Sequence, residues 1–386
     1  MVTRRRVLCW ARRLALGALI LTAAFLTLVP IGRYLARAAW EEGKILARRR
    51  PIDALIAEPA TDPALRAKLQ LVLDARRFAI DSLGLTADEE FTTFSRLDRD
   101  TLVLVLSAAY RDSLAFRSWW FPVVGRVPYK GFFDFEAGRR EATAADAAGF
   151  DAVLRPASAF STLGWFNDPL LPTTLALDSL SLANTIIHEL VHTTYYAPGE
   201  AVFNESVANF VGSRGAERFF RARGQLSAAD EVVRRWADER VMARFWSALY
   251  ASLDSAFAAH PGDRAARLLA RDTLFTRARA ALRTTVAAQL VTLDSASLTR
   301  VRLNTASVLA RRIYLTDVDL FERVMVREGG DIRRTIARLV ALARSDRKAP
   351  YNAVRIYLGD PLPDSVAHAA PAAGRAPAAA DSTTQN

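Results

Sequence analysis

Cysteine is almost missing from this 386-residue chain, which has one, Cys9. A single thiol excludes an intrachain disulfide and a thiolate zinc site. Histidine is scarce too, with four residues, His188, His192, His260 and His368. Two of so few at a ligand spacing therefore carry weight. Lysine occurs only at positions 44, 68, 130 and 348, so the net charge of +11 is an arginine charge. Those arginines are scattered along helical segments instead of clustering with aromatics, and no nucleic-acid motif accompanies them, which argues against a nucleic-acid partner. No internal repeat is present. Hydrophobic residues make up 51% of the chain, enough for a real core in one large domain or two small ones.

The N-terminus holds a run suited to a membrane. Arg4, Arg5, Arg6, Arg12 and Arg13 precede an uncharged stretch from Leu14 to Gly32, about the length a helix needs to cross the hydrocarbon core. It is longer than the apolar region usual in a cleaved signal peptide. Arg33 separates it from Ala36-Arg37-Ala38, the one cleavage-like pattern nearby, and Cys9 precedes it, which excludes a lipoprotein cleavage site. The run reads as a transmembrane signal anchor behind a basic tail, residues 1–13. Beyond it lie Arg33, Arg37 and Arg48 to Arg50, partly offset by Glu41 and Glu42. The five early arginines on so short a tail still place the N-terminus inside and the bulk of the chain outside.

Residues 33–360 are expected to form one α+β domain, mostly α-helical. From Ala38 to Leu85 the pattern is helical, broken by Pro51, Pro59 and Pro63. Thr101 to Tyr110 is a compact apolar run with the look of a buried strand, and Phe121 to Phe133 and Asp151 to Thr162 are shorter strand candidates, the first punctuated by Pro122, Gly125, Pro128 and Gly131. After Leu182 nearly everything reads as amphipathic helix through Ser345, with a helical C-terminal half from about Ala228. Residues 361–386 are rich in Ala and Pro without apolar periodicity, which predicts a disordered tail.

The chemistry is concentrated between Asn184 and Gly212: N-T-I-I-H-E-L-V-H-T-T-Y-Y-A-P-G-E-A-V-F-N-E-S-V-A-N-F-V-G. On a helix His188 and His192 project from one face a turn apart, a spacing at which two imidazoles bind one zinc ion. Glu189 falls beside them, placed to take a proton from water at the metal. Catalytic zinc needs a third protein ligand and an open position. Ala197-Pro198-Gly199 is a strong turn signal, after which a helix from Glu200 to Gly212 can return and face Glu205 toward the histidines. Glu205 is the leading candidate for the third ligand, with Glu200 and Glu217 the next acids. Asn209 shares the face of Glu205 and is suited to orient a ligating imidazole. His260 and His368 are isolated and read as bland.

This segment resembles the gluzincins, zinc peptidases whose third ligand is a glutamate on a following N-E-x-x-A/S helix. More narrowly, the chain is similar to a bacterial family of predicted aminopeptidases. The similarity rests on R-R-P-I at Arg49 to Ile52, R-R-F-A-I-D-S-L-G-L at Arg76 to Leu85 and the block from Trp120 to Phe133. It continues through F-S-T-L-G-W-F-N-D-P-L-L at Phe160 to Leu171, the zinc segment, and L-N-T-A at Leu303 to Ala306. The resemblance implies a zincin-like core with a small sheet, His188, His192 and Glu205 as ligands of one zinc ion, and Glu189 as catalytic base. It implies a peptide substrate; together with the N-terminal anchor and its orientation, the expected place is the bacterial inner membrane, single-pass, with the catalytic domain in the periplasm. Family members often carry two cysteines where this chain has Trp120 and Arg126. Both are replaced together, as expected for a lost disulfide pair, and neither is a metal ligand.

Zinc with Glu189 would hydrolyse a peptide bond. Tyr129 and Tyr196 are the candidates for stabilising the oxyanion. Ser161 to Asp168 is expected to supply the edge strand that pairs with substrate, with Trp165 and Phe166 shaping a pocket. Asp168 is the only acid just before the zinc helix, and no G-A-M-E-N-like sequence is present, so the usual anchor for a substrate's α-amine is missing. Aminopeptidase and endopeptidase both remain open. Two non-enzymatic readings stand beside them: a zinc protein without turnover, and an envelope protein that binds a partner through Ala228 to Ser345. Retention of Glu189 speaks against the first.

Overall fold

Proline divides the N-terminal region. A computed structural model describes residues 2–97, 103–121, 125–156 and 169–362. Helix α1 (Val2–Leu28) ends at Val29, whose backbone is extended, and Pro30 opens helix α2 (Pro30–Ala47). The span expected from Leu14 to Gly32 is therefore not one helix. Its apolar stretch lies earlier, at Leu8–Leu28, and is wholly unburied. Proline has no N–H and its ring clashes with the preceding turn, so the helix breaks there. Gly32 is required next to the break, because a Cβ on it would lie 2.0 Å from the Phe25 carbonyl oxygen.

Three small antiparallel sheets follow. Strand β1 (Arg49–Pro51) leads into α3 (Ile52–Ala57) and α4 (Pro63–Asp81), which Asp62 caps by accepting from the Leu65 amide. Strand β2 (Thr93–Ser95) pairs with β1. Strand β3 (Leu104–Tyr110) is the central strand of a three-stranded sheet. The expected strand from Phe121 to Phe133 is instead the end of β4 (Trp119–Phe121), then β5 (Gly125–Val127) and β6 (Lys130–Phe132). Gly125, at φ +73°, opens β5, and Pro128 lies between β5 and β6. Trp120 and Arg126 face each other directly across the β4–β5 pair, neighbouring positions of the kind a disulfide can bridge. After α5 (Phe135–Ala147), β7 (Phe150–Pro156) pairs with β3 and forms one edge of the order β6-β3-β7. Asp168, Trp165, Phe166 and the rest of Ser161 to Asp168 lie outside the described residues, as do Thr101 and residues 363–386 of the expected tail.

The remainder is helical: α6 (Pro172–Leu175), α7 (Ser179–Thr194), α8 (Ala201–Ala222), α9 (Leu226–Ala258) and α10 (Arg264–Ala281). A π turn at Leu282–Val286 extends α10. Then come α11 (Ser295–Thr299), α12 (Thr305–Leu315), α13 (Val318–Arg327), α14 (Ile332–Ser345) and α15 (Pro350–Leu358). Helix thus continues past Ser345. The architecture is predominantly helical α+β with small sheets, and α8 is the hub of the main core. Phe203, Phe210 and Phe219 on α8 and Phe321 on α13 are among its largest fully buried side chains. Phe210 packs against both Trp236 and Phe321.

One buried acid ties the sheet to this body. Asp151 on β7 is 5% exposed, accepts from the Thr305 amide at the start of α12 (2.7 Å), and pairs with Arg271 of α10 and Arg111. Burial opposes its charge, but the Thr305 amide and Arg271 outweigh that and hold the carboxyl below its usual range.

Candidate metal centre

Asp178 starts α7 by accepting from the amides of Leu180 and Ser181. Ile186, Ile187 and Leu190 are fully buried behind the helix, which turns His188, Glu189 and His192 toward the opposite, partly open side. The chain then reverses at Ala197-Pro198-Gly199, where Gly199 takes φ +85°, a conformation glycine adopts without strain. Asn204 holds that reversal with both ends of its amide. It accepts from the Ala197 N–H at 2.9 Å and donates to the Ala197 carbonyl at 2.8 Å. Two glycines let α8 lie close on α7. A Cβ at Gly212 would come within 2.4 Å of Asn184 Oδ1 and 3.2 Å of His188 Cβ, and one at Gly215 within 2.9 Å of Ile187.

This packing brings three donor groups together. His188 Nε2 and His192 Nε2 are 3.2 Å apart, His188 Nε2 is 3.4 Å from Glu205 Oε2, and His192 Nε2 is 3.6 Å from Glu205 Oε1. Tetrahedral zinc, with bonds of roughly 2.0–2.1 Å, places its ligand atoms about 3.3 Å apart. The spacing and the N,N,O donor set both fit a zinc ion. All three side chains are partly buried. Glu200 and Glu217 do not join them. Glu200 sits at the N-terminus of α8, its carboxyl raised by burial and by Asp346, and Glu217 is ion-paired with Arg214 and Arg221.

The electrostatics couple the three groups. Burial and the neighbouring His188 depress His192 to about 4, which leaves it a neutral imidazole at neutral pH. Burial acts against protonation of His188 as well, but a hydrogen bond to Glu205 and the charges of Glu189 and Glu205 reverse the balance and raise it. Glu205 is held below its usual range: burial would raise it, and His188 and His192 prevail. Asn209 donates to the Tyr314 carbonyl at 2.7 Å and lies close enough to His188 to act on its ring, so the expected orienting residue sits beside a ligand candidate. His192 Nδ1 is buried and has no partner among the described residues.

Sequence reasoning missed three neighbours. Tyr314 on α12 lies within electrostatic reach of Glu205, Glu189 and Arg155 of β7. Its hydroxyl is raised by burial and then by Glu205, and so stays protonated. Glu239 of α9 feels the charge of His188. None of these belongs to a local motif. Only L-N-T-A gave an indirect signal: its Asn304 caps α12 by accepting from Ser307, and Thr305 meets Asp151, which fixes the helix carrying Tyr314. The tyrosines expected from sequence are elsewhere. Tyr129 is 48% exposed and interacts with Tyr34, and Tyr196 is 56% exposed beyond the end of α7.

No curated protein and no solved structure matches this chain. A family model does, over residues 33–353, which takes in both sheet and helical body, α7 and α8 included. Its description is "putative aminopeptidase", and the chain belongs to that family.

Proposed function

We propose that the protein is a membrane-anchored, zinc-dependent peptidase acting at the amino-terminal end of peptides. The observation that carries this reading is the convergence of His188, His192 and Glu205, with Glu189 alongside, in a chain of a peptidase family. His188, His192 and Glu205 would hold the zinc ion, which when bound supplies Lewis-acid polarisation of a carbonyl and acidifies water. Glu189 takes the proton from the attacking water and returns it to the leaving amine. The Tyr314 hydroxyl donates to the carbonyl oxygen as charge builds on it, and Arg155 orients that hydroxyl. Asn209 keeps His188 in its ligating orientation. Helix α1 anchors this machinery, with Leu8–Leu28 in the membrane and the N-terminus inside, so that the domain faces the periplasm. Glu189→Gln tests the reading: zinc content should be unchanged while hydrolysis of short peptides falls by a factor of about 100 or more, the scale of general-base catalysis. Full activity in that variant would refute the assignment of the base.

A further inference from the structure

Glu239 occupies an unusual position on α9. Val232, Trp236, Ala243 and Trp246 are spaced four, three, four and three residues apart around it, and all are buried, between 2% and 5% exposed. Glu239 is the exposed member of that inward-facing stripe. An inward position that still meets solvent opens into a cleft.

The neighbours identify the cleft. Helix α9 packs against α8, which carries Glu205 and Asn209, and against α12, which carries Arg311 and Tyr314. One turn before Glu239, Arg235 reaches across to α7, bonding to Asp178 at 3.0 Å and to Ser181 Oγ at 3.4 Å. From there His188 lies two turns further along α7 and Glu239 one turn further along α9, so the two helices carry them toward the same opening. Directly before Glu239, Asp238 is 1% exposed and accepts from the amides of Val291, Thr292 and Leu293, which fixes this turn of α9.

Several acids on and around α9 have partners. Glu231 pairs with Arg234 and Arg235, Glu322 with Arg214, and Asp319 with Arg240 and Arg244. Among the described residues Glu239 makes no hydrogen bond and no ion pair. The protein crowded around it desolvates and raises its carboxyl even though the side chain keeps open surface, and Arg311 and then His188 act on it only at longer range. A carboxylate in a cleft without a cation is costly, and a charged ligand that supplies the cation recovers that cost.

We propose that Glu239 receives the protonated α-amino group of a peptide whose first peptide bond lies at the metal centre. This residue thus sets the preference for substrates with a free N-terminus, and the proposal rests on the peptidase reading above. It replaces Asp168 as the source of the anchoring charge.

The test compares kcat/KM for free and N-acetylated forms of the same short peptides, using the zinc-loaded full-length chain. The wild type should favour the free amine by about 100-fold, the scale of a buried charge pair. Glu239→Gln should bring the ratio near one through KM, with zinc content unchanged, and Glu239→Asp should restore part of the preference. Equal cleavage of both forms by the wild type would overturn the anchor while leaving a peptidase. A preference that survives Glu239→Gln, or that is lost on Asp168→Asn instead, overturns it equally. No turnover of either form by the wild type would remove the peptidase reading, and the anchor with it.

Discussion

Glu205 and Glu189 share one small volume, yet substitution should separate them. Glu205 faces both imidazole Nε2 atoms, at 3.4 and 3.6 Å, whereas Glu189 acts on His188 and Tyr314 through its charge. Glu205→Gln should weaken zinc binding by more than the roughly 10- to 100-fold typical for losing an outer-shell partner, as read by competition with a chromogenic chelator. Wild-type zinc affinity in Glu205→Gln would move the third ligand elsewhere. These groups were legible in the sequence for a simple reason. His188, Glu189 and His192 lie within about a turn on one helix, and Glu205 follows a strong turn signal that lets the chain return alongside. Tyr314, Arg155 and Glu239 were not legible, since each reaches the centre from a distant element through tertiary packing alone.

At the scale of elements, the junction between β7, α10 and α12 positions the wall that holds Tyr314 and Arg155. Asp151 is its keystone, paired with Arg271 and accepting from Thr305. Its carboxyl is depressed in the folded chain. It therefore contributes stability that is present above the unfolded carboxylate range, near pH 4, and lost as the pH falls through the lower folded value. Asp151→Asn should cost about 3 kcal/mol at neutral pH, the scale of breaking a buried pair. The gap from wild type should narrow below pH 4. Urea unfolding at pH 7 and pH 3 measures both, and a gap independent of pH would contradict this role. Such long-range ties leave no trace in periodicity. The amphipathic helices after Leu182 did show, and so did β3 and β7, because helical periodicity and short apolar runs are local signals. The segment from Phe121 to Phe133, already punctuated in sequence by Pro122, Gly125, Pro128 and Gly131, holds the end of β4 and the strands β5 and β6.

For the whole molecule, the sequence correctly shows a long apolar N-terminal stretch but misplaces its end. Uncharged composition runs on to Gly32, whereas backbone geometry stops the helix at Leu28, one residue before Val29 breaks it. If α1 anchors the chain with its N-terminus inside, alkaline phosphatase fused after Asn386 should be active outside the inner membrane. A cytoplasmic C-terminus, or release of a soluble form cut near Ala38, would overturn that topology. The body that α1 carries is built around α8, which buries Phe203, Phe210 and Phe219 on one side and presents Glu205 and Asn209 to α7 on the other. The centre is therefore part of the core packing. Zinc content can therefore be measured on the detergent-purified full-length chain. Elemental analysis by mass spectrometry should find close to one zinc per wild-type chain, and His188→Ala combined with His192→Ala should remove it while the helical circular dichroism is retained. A folded wild-type chain that takes up no zinc, or a double variant that keeps the wild-type amount, would contradict the account.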